Sequence, residues 1–526
     1  MTISQNLLAL LCLAAAVSFL PCLAAEAAPV RRPNIILILS DDQGWTGSSV
    51  QMAAQREDSR SDYHRTPNLE RLAGDGMRFS NAYAPAAVCS PTRHAIQWGK
   101  SPARLGITFN TGETPRINGS PAIAQLLKRV DPNYATGHFG KWHIKLHPSE
   151  AGFDESDGRT GNDDGNIKGD IDYSRKWKTL LTEVGRAAGE RKGDPAVADL
   201  TSQKGDPAAQ IKLAELLAPD DAKVAKALRA LPTDKIAPIP FTPDNPKRIF
   251  EVTRRSADFM ERQVAAHKPF FLQVSHYAVH IKTMARKETL AKYQKLPKGE
   301  HHDRADFAAM TEDLDSGLGL LLDKIEELGI ADNTYVFYTS DNGAYGDHNH
   351  PLSKGKFYLR EGGIRVPLVV RGPGIAKGSF CDVAVTGMDF LPTFCALAGE
   401  GLQLPDGLDG DSFKPLLEHG GQGTIARKDP ALIFHYPNFY GDPKRGKAYG
   451  ERPQSAIRLG NYKLIKYWDN DERLLFDLDR DIGEQKNLLA TMPEKAAELH
   501  DHLMDYLHSV DALIPGPDRK SNRPAR

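Results

Sequence analysis

The sequence predicts an α/β fold, with a large, mostly parallel central sheet flanked by helices, then a smaller C-terminal antiparallel sheet with a packed helix. Three observations carry this reading. Short β-branched apolar runs recur along the chain, helical patterns lie between them, and the rhythm changes after Ala431. Strands alternating with helices build a parallel sheet, whereas short strands separated by turns build an antiparallel one.

In chain order, residues 7–20 (LLALLCLAAAVSFL) form an apolar run followed by Pro21 and the small-residue stretch LAAEAAP. Residues 1–27 read as a secretory signal cleaved between Ala25 and Ala28, which implies export to the periplasm or beyond. The run is shorter than the ~20 apolar residues that span a bilayer, so no stable membrane span is expected. Of five cysteines, Cys89, Cys381 and Cys395 remain after cleavage, too few for a disulfide framework. Cys381 and Cys395 either pair or stay as buried thiols.

Residues 34–40 (NIILILS) have the pattern of a buried parallel strand, as do 269–275 (PFFLQVS), 334–340 (TYVFYTS) and 367–371. Helical patterns cover 68–74, 120–130, 306–328 and 389–398. Together they define a main domain over 28–430, whose ligands should collect beyond the carboxyl ends of the strands. Residues 154–245 interrupt it with a polar, partly helical insertion containing two Asp-Pro pairs, each suited to a helix start. Residues 431–526 form the C-terminal α+β subdomain: strands in ALIFHY, QSAIRLGNYKLIKYW and RLLFDLDR, a helix over 494–510, then a basic, Pro-rich tail.

Lys and Arg number 67 and Asp and Glu 68, a net charge of −1. No broad field draws this chain to nucleic acid or an anionic membrane, so an anionic substrate needs a local cluster. Two strand ends offer one. The first strand runs into Asp41-Asp42 and the third into Asp341-Asn342. Either pair alone suits a cap or turn; together they make an all-oxygen pocket for a hard cation, Ca²⁺ or Mg²⁺. Cys89-Ser90-Pro91-Thr92-Arg93 opens a helix, where free N–H groups stabilise an anion. Cys89 there is a buried hydrophobe, a thiolate nucleophile or the precursor of something else.

The segment TPNLERLAGDGMRFSNAYAPAAVCSPTR strongly resembles the type I sulfatases of the alkaline-phosphatase-like superfamily, bacterial arylsulfatases and polysaccharide sulfatases among them. Cys89, Pro91 and Arg93 match their Cys-x-Pro-x-Arg motif, and the likeness extends to DDQG at Asp41, GKWH at Gly140, the VSHYAVH block ending at His280, SDNG at Ser340 and PLSKGKFYLREGGIRVP from Pro351. It implies that a formylglycine-generating maturation enzyme oxidises Cys89 to formylglycine. It assigns one calcium ion to Asp41, Asp42, Asp341 and Asn342 with position 89, and makes Arg93 the charge partner of the nucleophile. Lys141 and His143 contact the aldehyde hydrate and the sulfate, His280 faces the leaving oxygen, and Lys356 binds sulfate, with Lys354 the neighbouring register. One departure stands out: HAIQWGK follows Arg93 where the family runs into Thr-Gly-Arg, so Lys100 keeps the charge without the bidentate geometry.

Elementary chemistry reaches the same roles. Cations neutralise charge that redistributes as the sulfate ester breaks. One hydroxyl of an aldehyde hydrate attacks sulfur while His280 protonates the departing alcohol; the other, deprotonated with help from His143, expels sulfate. A serine could attack but could not release sulfate in that way. His276 has a supporting role at most, His435 reads as a packing histidine, and His348 and His350 are candidate substrate contacts. The expected function is hydrolysis of a sulfate ester, of a sulfated carbohydrate or small molecule. Two alternatives are a phosphoester or phosphonate-ester hydrolase on the same scaffold and a non-catalytic sulfated-glycan-binding protein.

Overall fold

The structure is a computed structural model that describes residues 31–515, apart from 110–113, 167–170, 192, 204–206, 231–244, 347, 439 and 443–446. The expected signal over 1–27 and the basic tail lie outside the described residues.

Eight strands build the central sheet: β1 (Asn34–Ser40), β2 (Met77–Phe79), β3 (Ala135–Gly140), β4 (Glu155–Ser156), β5 (Phe270–Ser275), β6 (Thr334–Ser340), β7 (Leu368–Arg371) and β8 (Ser379–Cys381). Their order is β4-β3-β5-β1-β6-β7-β2-β8. The first five neighbours are parallel. β7 runs antiparallel to both β6 and β2, so the run at 367–371 is a strand that the sheet uses in the opposite direction.

All seven residues of β1 are buried because both faces of the sheet are covered. Ile35, Leu37 and Leu39 pack in a layer with Leu126 and Leu127 of Ile123–Val130 and Phe394 of Phe390–Ala398. Ile36 and Ile38 pack on the other side with Leu69 of Pro67–Gly74, Phe259 of Ile249–Ala265 and Leu318 of Ala305–Glu327. Burial of each such side chain contributes about 1.5–3 kcal/mol, which is why this strand reads as an unbroken apolar run.

Within 154–245, helices Ile171–Glu190, Pro195–Ser202, Pro207–Leu217 and Ala222–Arg229 bury a cluster of their own, with Leu180, Val184, Leu213 and Val224 at its centre. Asp194 caps the second of these, accepting from the N–H groups of Ala196 and Val197. The other Asp-Pro start, at Asp206, lies outside the described residues.

The second sheet is antiparallel, in the order β9 (Leu432–Tyr436), β10 (Gln454–Leu459), β11 (Tyr462–Tyr467), β12 (Arg473–Asp477), and Leu499, Leu503 and Leu507 of helix Pro493–Ser509 pack on Ile457 and Leu464. Cys381 and Cys395 are separate buried thiols. Among the described residues, no helix is long and apolar enough to cross a membrane.

A fully buried ion cluster ties this sheet to the central one. Lys463 of β11 donates to Glu361 at 2.8 Å and lies 3.0 Å from Glu484, and Arg365 also donates to Glu361 at 2.7 Å. Burial alone would raise Glu361, but Lys463, Arg365 and Arg458 hold it far below the usual carboxylate range. Replacing Lys463 by Met leaves the buried Glu484 without its ion-pair partner and Glu361 with Arg365 alone in contact. Lys463→Met should cost about 3–5 kcal/mol, read as a lower denaturant midpoint in equilibrium unfolding.

Candidate active site

The site forms where four parallel strands end together. β1 and β6 pair in register, Ser40 opposite Ser340, so Asp41-Asp42 and Asp341-Asn342 emerge side by side. The Asp341 N–H donates to the Ser40 carbonyl at 3.2 Å, and the Asp42 N–H donates to Asp341 Oδ1 at 3.1 Å. β3 and β5 end level with them, Gly140 opposite Ser275, which delivers Lys141 and His276 to the same edge. The 276–280 segment is then stitched across β1: Asp41 N–H donates to the Ala278 carbonyl at 2.9 Å and Val279 N–H to the Asp41 carbonyl at 2.7 Å.

Two backbone positions there are unusual. Asp42 (φ 61) and His143 (φ 55) are left-handed, a conformation that costs a non-glycine residue about 1–3 kcal/mol and that clusters at functional sites. At Gly140 (φ 97) an added Cβ would fall 1.9 Å from the Ser275 carbonyl oxygen, so the turn into Lys141 admits only glycine.

Cys89 is the first residue of helix Cys89–Trp98, after an extended Val88 with no side-chain cap. One turn on, Arg93 reaches Asp341 Oδ2 with Nε at 2.9 Å and Nη2 at 2.8 Å, and its Nη1 donates to the Lys141 carbonyl. Cys89 Sγ lies 3.2 Å from His143 Nδ1.

Charge is arranged in pairs. Lys141 Nζ donates to Asp41 Oδ2 at 2.6 Å; Lys356 Nζ donates to both Asp42 oxygens, at 2.7 and 2.9 Å. His280 Nε2 stands 3.6 Å from Asp42 Oδ2. Burial, the largest single influence, would raise both aspartates, but Lys141 with His280 and Arg93 at Asp41, and Lys356 with His280 and Lys141 at Asp42, together keep them below the usual carboxylate range. Asp341 is raised, by burial and by the charge of Asp41. Burial, with Lys141 and Arg93 nearby, holds His143 well below its ordinary value, so its imidazole is neutral.

The donor set fits a hard cation. Asp41 Oδ1 and Asn342 Oδ1 are buried without a hydrogen-bond partner, an arrangement that is costly unless something else coordinates them. Ligand atoms of Asp41, Cys89 and Asp341 all lie within 4.8 Å of one another. Carboxylate and amide oxygens with no imidazole suit calcium.

The residues named from sequence thus come together: Asp41, Asp42, Cys89, Arg93, Lys141, His143, His280, Asp341, Asn342 and Lys356. Lys354 is exposed, over the Tyr358 ring, so its register does not reach the cluster. His276 is buried with neither ring nitrogen bonded, and burial lowers it to about 4. His435 bonds Ser455 Oγ and the Leu513 carbonyl, as a packing histidine. His350 stacks on His301, in a separate group beside His302 and Asp62, and His348 packs near Phe307. Sequence reasoning missed the second layer. Thr160 Oγ1 accepts from Trp142 N–H and donates to the Gly140 carbonyl, and the Thr160 carbonyl accepts from His143 N–H at 2.7 Å. Asp157 accepts from Gly140 N–H at 2.8 Å. Neither residue sits in a motif; only the proximity of GFDESDGRTG to GKWH hints at them.

Comparison with known proteins shows the family. Residues 33–400 match the family model described as sulfatase, and residues 350–512 match one described as the C-terminal region of N-sulphoglucosamine sulphohydrolase. A sulfatase of Formosa agariphila is 28% identical over 509 residues, covering 88% of this chain and 86% of that one. The N-acetylgalactosamine-6-sulfatase of Sus scrofa is 30% identical over 525 residues, covering 92% and 87%. The crystal structure of Ps i-CgsB in complex with k-i-k-neocarrahexaose superposes with a TM-score of 0.65 at 24% identity, covering 90% of this chain and 93% of that one.

Proposed function

This chain belongs to the sulfatase family and is a sulfuric ester hydrolase, and from that premise we propose that it cleaves sulfate esters of a carbohydrate through formylglycine made from Cys89, with one bound calcium ion. The observation that carries the reading is the convergence of Cys89, His143 and three carboxylate–cation pairs on one edge of the sheet. A carbohydrate is supported by the names of relatives such as the N-acetylgalactosamine-6-sulfatase. Action outside the cytoplasm is supported by the apolar run at 7–20.

In this reading Asp41, Asp42, Asp341 and Asn342, with position 89, hold calcium, which when bound withdraws charge from a sulfate oxygen. An aldehyde hydrate at position 89 supplies the attacking hydroxyl. His143, neutral and within hydrogen-bond reach of position 89, takes a proton there. The charges of Lys141 and Lys356 both act on position 89, where they stabilise the sulfate oxygens. His280 Nδ1 donates to the Ile281 carbonyl, so Nε2, 3.6 Å from Asp42 Oδ2, carries a transferable proton in the imidazolium form and gives it to the departing sugar oxygen. Arg93 fixes Asp341 and the Lys141 carbonyl, which keeps the cluster rigid.

The test is sulfate release, followed by ion chromatography, from a panel of sulfated monosaccharides and 4-nitrophenyl sulfate. Release from sugars supports the reading; hydrolysis of a phosphodiester alone would overturn it. His280→Ala should lower kcat by about 10²–10⁴-fold on sugar sulfates and much less on 4-nitrophenyl sulfate, whose leaving group needs no proton. An equal loss on both would remove His280 from the proton-transfer role.

A further inference from the structure

Both ends of the 154–245 insertion come down on this cluster. At the leading end, Asp157 and Thr160 bond the Gly140–His143 turn. Gly165 then packs so closely on Tyr277 that an added Cβ would lie 2.4 Å from that side chain. At the trailing end the chain returns through the turn Pro246–Arg248, where Lys247 (φ 51) and Arg248 (φ 57) are both left-handed.

Both of these cations are 1% exposed, yet they differ in one respect. Arg248 pairs with Glu251. Lys247 forms no ion pair among the described residues; its Nζ donates to Asn166 Oδ1 at 2.7 Å, joining the two ends of the insertion. A buried ammonium whose acceptor is neutral is costly, because its charge has no anion beside it. Asn166 directly follows Gly165, which packs on Tyr277 between His276 and His280, so Lys247 lies beside the catalytic cluster, and the charges of Asp41, Lys141 and Asp42 act on it. Those aspartates are already engaged by Lys141 and Lys356. Burial brings Lys247 down to about 8, which leaves it charged at neutral pH and in need of a counter-ion.

We propose that Lys247, positioned by Asn166, is a substrate-binding residue that takes a second anionic group, a carboxylate or a second sulfate, on the saccharide that carries the scissile ester. This rests on the sulfatase reading. The insertion thereby acquires a role in specificity, since Asn166 at its leading end holds the lysine that follows its trailing end, while its helices keep their own core.

The experiment compares kcat and KM on matched substrates, a monosulfated N-acetylhexosamine against its N-sulfated and its uronic-acid-linked counterparts, for wild type, Lys247→Met, Lys247→Arg and Asn166→Ala. Wild type should prefer a doubly anionic member. Lys247→Met should reduce that preference about 10–100-fold, the worth of a charge-assisted hydrogen bond, chiefly through KM. Lys247→Arg should retain most of it, and Asn166→Ala should weaken it. An unchanged preference ratio in Lys247→Met, or no preference in wild type, overturns the inference while leaving the sulfatase reading intact. No sulfate release by wild type from any member sinks the sulfatase reading, and this inference with it.

Discussion

Cys89→Ala is expected to release sulfate at least about 10³-fold more slowly than wild type, while keeping its melting temperature within a few degrees. The side chain is small and buried at a helix start, so the deletion costs little packing. What it removes is the nucleophile, and with it the partner that His143 meets at 3.2 Å. Cys89→Ser makes the sharper comparison. Its hydroxyl occupies the same position and can accept the sulfuryl group, but it lacks the second hydroxyl that expels sulfate. The serine protein should therefore turn over once and stop, with one sulfuryl group on residue 89 visible in its intact mass. Sustained turnover by the serine protein would contradict the aldehyde-hydrate mechanism.

The second large effect belongs to Asp341. Its carboxylate accepts from Arg93 Nε and the Asp42 N–H and ion-pairs with Arg93 Nη2, besides being a proposed calcium ligand. Asp341→Asn leaves Arg93 buried without its charge partner and weakens the cation site. A loss of about 3–5 kcal/mol in stability and of about 10²-fold or more in activity is expected. Calcium titration separates the two. Wild type dialysed against chelator should lose activity and regain it with added calcium, whereas Asp341→Asn should need far more calcium for whatever activity remains. If chelation leaves wild-type activity untouched, Asp341 acts only as a structural partner of Arg93.

Much of this architecture is legible in the sequence for a physical reason. Strands covered on both faces, such as Asn34–Ser40 and Thr334–Ser340, are apolar or aromatic through their middles, and polar residues gather at the carboxyl ends of a parallel sheet. The motifs fall at those ends, so the ligands can be read without the fold. Ala135–Gly140 is not legible: ATGHFG has two glycines and a buried histidine where a β-branched run would announce a strand. Its glycines are needed for close approach, Gly137 against Phe259 and Gly140 against Ser275. The reversed direction of Leu368–Arg371 also leaves no mark, because a short buried strand looks alike in either sense. Lys247 is invisible too, since nothing local separates a buried lysine without an ion pair from a solvated one.

The most direct test of the central claim is peptide mass spectrometry of residue 89, in protein co-expressed with a formylglycine-generating enzyme, paired with sulfate release by the same preparation. Conversion of the Cys89 thiol to an aldehyde is expected, with activity rising in proportion to the converted fraction. Full sulfate-releasing activity from protein whose Cys89 remains an unmodified thiol would contradict it.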